Sequence, residues 1–255
     1  MRVNLKKRVK MDTNKYKWKD MNSSKNTARQ AGLLWFLSTV TGAFGLLYMR
    51  SNVIIPGDAA ATASNIMASE FLYRAAIVSS LFSQIFLFFL GLTLFHLFKE
   101  VNKRLATVLL ASMMISVAIA VVNTLNHFGA LLVLSQADFL NVFNTEQLNA
   151  IAFLFLRLAN SAGQGLLEIF WVPYYFIFGL LIIRSRFLPK IFGILLMIMG
   201  IGFALNVFEK FLFPQFYPAL FSQLAMLGGA LGGIPTMLWL LIKGAEVQPL
   251  DDQAS

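Results

Sequence analysis

The chain has 255 residues, 58% hydrophobic and 13% charged, with 25 Phe, no Cys and a formal net charge of +9. That balance excludes an ordinary soluble domain and predicts an all-α polytopic membrane protein whose Phe-rich faces meet lipid. The missing cysteines exclude disulfides, thiolate nucleophiles, Cys-ligated zinc and iron–sulfur clusters; the basic charge does not imply nucleic acid, because ten of the 21 Lys and Arg lie in the first 29 residues.

Residues 1–30 read as a basic cytoplasmic tail, disordered or resting on anionic headgroups, with Tyr16 and Trp18 among the lysines. Holding positive charge inside is sufficient reason for it. Met11 and Met21 are alternative starts. Gly32 to Met49 is the first span. It has the flanks of a signal peptide, but the small-x-small sites at Ala59–Ala63 lie too far beyond its apolar core for cleavage.

Pro56-Gly57 signals a turn, and Asp58 is placed to cap an Ala-rich interfacial helix leading to Glu70 and Arg74, which sit at i, i+4. Phe71 to Phe98 is the second span, followed by a basic turn (Lys99, Lys103, Arg104) and a third span, Leu105 to Leu134, carrying Asn123, Asn126 and His127 near its far end. A polar loop at 135–147 leads to the fourth span, 148–186, where Pro173 should kink the helix and Gly163 and Gly165 admit a close neighbour. Arg184, Arg186 and Lys190 form the next basic turn. Ile191 to Phe208 is the fifth span, and Ala219 to Ile242 the sixth, beyond a turn with Pro214 and Pro218. Gly228, Gly229, Gly232 and Gly233 make two overlapping G-x-x-x-G pairs, expected to pack within the chain.

The fold expected is therefore a bundle of six transmembrane helices over residues 31–243, with a short tail at 244–255. With both termini cytoplasmic, the segments 1–29, 99–104, 184–190 and 243–255 hold 17 of the 21 Lys and Arg, while the outer connections keep Arg50 and Lys210. The positive-inside rule favours that orientation in a cell membrane.

The run PGDAAATASNIMASEFLYRAAIVS, the turn LFKEVNKRLA, and WVPYYFIFGLLIIRSRFLPKIFGILLMIMGIGF followed by LWLLIKG together resemble the domain of unknown function 4386 family, polytopic membrane proteins of bacteria and archaea. The resemblance covers Ala28 to Gly244, with residues 1–20 as an extension. It implies the span count and the membrane location, and no activity. Many members carry a Glu where Gly233 stands, so no role built on that acid carries over.

The fourth span also holds the chemistry. At 100° per residue, Arg157, Asn160, Gln164 and Glu168 fall within an arc of about 80°, a polar stripe that lipid cannot satisfy. Counting inward from the basic turns places Arg74, Asn126, His127 and Arg157 at the outer interface and Glu168 somewhat below it. With Asp58, Glu70 and Asn123 they are expected to line a vestibule for a small polar or amphiphilic ligand. The alternative is an interhelical network that only fixes packing; for Glu70 with Arg74 that reading is favoured.

His96 and His127 lie ~30 Å apart in depth, too far for a bis-histidine haem. A zinc site would need His127 with Glu70, Asp58 or Glu168. No H-E-x-x-H, G-x-S-x-G, Walker or dinucleotide pattern occurs, so no metal, cofactor or catalytic residue is assigned. Two rivals stand beside ligand binding. One is a membrane-embedded enzyme using Glu168 or His127 as acid/base on a lipid-like substrate. The other is an accessory subunit docking a partner through the sixth helix. The bilayer is the partner expected; oligomeric state is not readable from the pattern.

Overall fold

Apolar segments with no water to bond their backbone must close their hydrogen bonds internally, and these do so as helices. The structure, a computed structural model, describes residues 2–49, 53–135, 137–185, 187–212, 223 and 226–245. It is all-α, with no strand among the described residues. Helix α1 is Arg2–Tyr48, α2 Ala59–Ala68 and α3 Glu70–Leu134. Helix α4, Thr145–Leu158, runs through a widened π-turn at Ala159–Gly163 into α5, Gln164–Ser185. Helix α6 is Lys190–Leu212, and a second π-turn at Gly229–Gly233 opens α7, Ile234–Ile242. Among the described residues three stretches are long and apolar enough to cross a membrane: Glu70–Leu134, Thr145–Ser185 and Lys190–Leu212. Arg50, Arg186, Pro214, Pro218, the start expected at Ala219 and the tail from 246 lie outside the described residues.

Helix α1 carries the basic segment without a break into the apolar segment after it. No Gly or Pro precedes Gly32, so nothing interrupts the i→i−4 ladder. Helix α3, at 1.5 Å per residue, would be about 100 Å long if straight. It is broken at Asn102, whose φ of −161° and ψ of 104° are extended. The Asn102 side chain accepts from Leu105 N at 3.0 Å and so caps the second arm. The arms fold back on one another: Tyr73 meets His127, and Gly91 lies against Met113 and Met114. The short basic turn read from Lys99, Lys103 and Arg104 is this break.

Small residues let the other helices close on that hairpin. Ser83 Oγ donates to Ser38 O at 2.8 Å and Ser79 Oγ to Thr41 O at 2.9 Å, and Gly42 and Gly45 of α1 leave room for Ser83 and Ser80 respectively. A Cβ on Gly32 would overlap the Leu240–Leu241 backbone of α7. Gly179 and Gly193 put α5 and α6 backbone to backbone, and Gly228 and Gly232 press on Met199 and Leu195 of α6. These glycines of the expected sixth span thus pack inside the chain.

Two apolar clusters result. The larger gathers Trp35, Leu94, Phe98, Leu109, Phe178, Leu196 and Leu240. The smaller, at the opposite end, joins Met49, Ile66, Tyr73, Ile77, Leu131 and Leu156. Phe82, Phe89, Leu125, Ile201 and Leu231 point outward, each at least half exposed, as expected of a surface solvated by lipid.

Candidate functional site

Between the two clusters lies a cavity of about 280 Å³, lined from α1, both arms of α3 and the segment Ala159–Trp171. Its polar lining is Ser80, Ser83, Gln84, Ser116, Asn123, Thr124, His127, Asn160 and Gln164; Met49, Ile77, Leu87, Leu167 and Trp171 complete the wall. No Asp, Glu, Lys or Arg is among the described lining residues.

The π-turn shapes one side. A turn with i→i+5 bonding is wider than an α-turn and leaves a carbonyl open to a second donor. Here Ala159 O accepts from Gln164 N and also from Asn123 Nδ2, the latter at 3.1 Å. Gly163 makes this possible, since any Cβ there would overlap the Asn123 carboxamide. Asn126 Nδ2 in turn donates to Asn123 Oδ1 at 3.0 Å. His127 Nδ1 lies 3.1 Å from the Tyr73 hydroxyl, with the two rings edge-on. Asn160 Nδ2 donates back to Leu156 O at 2.8 Å. The hydroxyls of Ser80, Ser83, Ser116 and Thr124 all donate to main-chain carbonyls. The carboxamides of Gln84 and Gln164 have no partner among the described residues, and both are half-buried on the cavity wall.

Of the residues expected to share a site, Asn123, His127, Asn160 and Gln164 do meet at this cavity. The charged ones do not. Arg157 is exposed. Asp58 caps α2, accepting from Ala61 N at 2.8 Å. Glu70 and Arg74 form the anticipated i, i+4 pair, at 2.7 Å and about half exposed. Glu168, 4% exposed, turns toward α6, where Lys210 Nζ at 2.8 Å and Asn206 Nδ2 at 2.9 Å both reach its Oε2. The outer vestibule of charges is therefore not formed. The physical reason is the π-turn: it adds a residue between Arg157 and Glu168, so one helical wheel does not run through both. Lys210 lies in the last turn of α6, not in a connection.

Glu168 and His127 thus serve different contacts, the first with Lys210 and Asn206 and the second with Tyr73. Among the described residues no three His, Asp or Glu side chains come together as metal ligands would.

Several contributors escaped the sequence reading. Asn206 and Lys210 share a face four residues apart, but the span had been ended at Phe208. Gln84, a lone carboxamide in a Phe- and Leu-rich stretch, was the missed signal. Tyr73 and the serines gave none.

With this geometry in place, the family model described as Domain of unknown function (DUF4386) matches residues 30–244. The chain belongs to this family. Its matched region holds every element from the apolar part of α1 to the end of α7, cavity and Glu168–Lys210 contact included. No curated protein and no solved structure matches the chain.

Proposed function

We propose that this DUF4386 protein is a six-span protein of the cell membrane, both termini inside, that binds or moves a small, uncharged polar or amphiphilic ligand through the central cavity. The observation that carries the reading is the pair of carboxamides, Gln84 of α3 and Gln164 of α5, that line the cavity without a partner among the described residues. Each carboxamide carries donors and an acceptor that the described residues leave free, so water or a ligand in the cavity can take them up.

The charge of the ligand follows from the lining. With no Asp, Glu, Lys or Arg among the described residues of the wall, an ion would be desolvated there without a counter-charge from them, at several kcal/mol. A neutral molecule with donors and acceptors loses nothing comparable. Position supports outer-side access: Ser116 stands about 18 Å and Asn123 about 30 Å from the basic turn at Lys103 and Arg104 along the second arm of α3, so the cavity occupies the outer half of a ~30 Å core.

The test is thermal unfolding of purified protein in detergent against polyols, amides, fatty alcohols and quinols, each beside a carboxylate or amine of the same skeleton. At least one neutral compound should stabilise the wild type and leave Gln84→Leu/Gln164→Leu unmoved. Equal stabilisation by the charged analogue, or an undiminished response in the double variant, would overturn the reading.

A further inference from the structure

Beside the break in α3, at the end of the bundle away from the small apolar cluster, a second cavity of about 440 Å³ is lined by Ser24 and Thr27 of α1, His96, Lys99 and Glu100 of α3, and Phe187. Its depth is set by charge. Lys103 and Arg104 follow within the next turn and are exposed, and such a cluster belongs at the lipid–water boundary, not in hydrocarbon. The cavity therefore opens where phospholipid headgroups lie.

Its chemistry is two-signed. Lys99 offers an ammonium and Glu100 a carboxylate, and neither is in an ion pair among the described residues. As consecutive helical residues they diverge by about 100°, so they flank the space instead of neutralising each other. Ser24 adds a hydroxyl. His96 Nδ1 lies 2.8 Å from Leu92 O; a carbonyl only accepts, so Nδ1 carries the proton and Nε2 is left open. Phe187, stacked on Phe98, gives an apolar wall.

We propose that this cavity seats the headgroup of a phosphoethanolamine lipid, its phosphate against Lys99 and the Ser24 hydroxyl and its primary ammonium against Glu100. A phosphoglycerol headgroup has no cation for Glu100. A phosphocholine has one that cannot donate a hydrogen bond.

Native mass spectrometry of the full chain in detergent, with equimolar dioleoyl phosphatidylethanolamine, phosphatidylcholine and phosphatidylglycerol, tests this. The ethanolamine lipid should be retained over the choline lipid by up to about fivefold, the scale of one solvent-screened ion pair. Glu100→Gln should erase that preference, and Lys99→Gln should lower retention of all three lipids. Unchanged melting temperatures, expected at such surface positions, show that the variants remain folded. Equal retention by the wild type, or a preference surviving Glu100→Gln, would overturn the proposal. Soluble O-phosphoethanolamine at equimolar concentration should not displace the lipid; displacement would assign the site to a soluble phosphoamine instead.

Discussion

Lys210→Met strips Glu168 of its cation and leaves Asn206 as its one partner among the described residues. Removing one member of a fully buried ion pair costs about 3–5 kcal/mol, whereas an exposed pair is worth under about 1 kcal/mol. This contact lies between the two limits. The Glu168 side chain is 6% exposed and that of Lys210 26%, and the Asn206 bond survives the substitution. A loss of about 2 kcal/mol follows, or about 4–8 °C in a chain of this size. Glu168→Gln should lose only about 1 kcal/mol, because a carboxamide still accepts from Asn206 and a freed lysine can extend toward headgroups. The double variant Glu168→Gln/Lys210→Met should recover part of the deficit of Lys210→Met, since no charge is then left buried alone. Tryptophan fluorescence during thermal unfolding in one detergent would measure all three. If Glu168→Gln loses as much as Lys210→Met, or if the double variant shows the sum of the singles, the two side chains are not coupled and the assignment fails.

Gly163→Ala should destabilise by about 1–3 kcal/mol, because the Asn123 amide must leave the space a Cβ would take; adding Asn123→Ala should restore part of that, read as a melting-temperature difference. Gly32→Ala should lose about 1–3 kcal/mol against the Leu240–Leu241 backbone, while Gly233→Ala, whose Cβ would find Trp35 at an ordinary 3.8 Å, should stay within about 1 kcal/mol of wild type; comparable losses in both would refute the packing described for α1 and α7. Asp58→Ala removes the cap of α2 at about 1 kcal/mol. Amide hydrogen exchange at Ala61 and its neighbours should quicken by about fivefold, with the rest of the protein unaffected.

Much of the architecture was legible because the bilayer imposes long apolar helices, and the sequence displays them with basic turns between. The cap at Asp58, the Glu70–Arg74 pair and the break near Lys99–Arg104 were readable for a similar reason: each depends on residues within a few positions of one another. The candidate site was legible in its amides and histidine and misread in its charges. Asn123, His127, Asn160 and Gln164 meet as their polarity on apolar helices suggested. Arg157 and Glu168 part company at the turn Ala159–Gly163, and an α-helical wheel carries no sign of a π-turn beyond the run ANSAG. Lys210 shows the other gap. Whether a terminal lysine faces water or a carboxylate on a neighbouring helix depends on which helix lies beside it, and no local pattern encodes that.

The pairing of α5 with α6 is fastened at both ends, by reciprocal glycines at 179 and 193 and by the Glu168 contacts near the opposite rim. A unit clamped at two points 11 to 17 residues apart resists sliding and splaying alike, so these helices behave as one board. Just ahead of Gln164 lies the five-residue turn that contains Gly163 and takes a hydrogen bond from Asn123. Any breathing of the central chamber would pivot there, swinging the board as a block. Spin labels on the outer faces of α5 and α6 should keep a fixed separation, while a label on α4 moves relative to both.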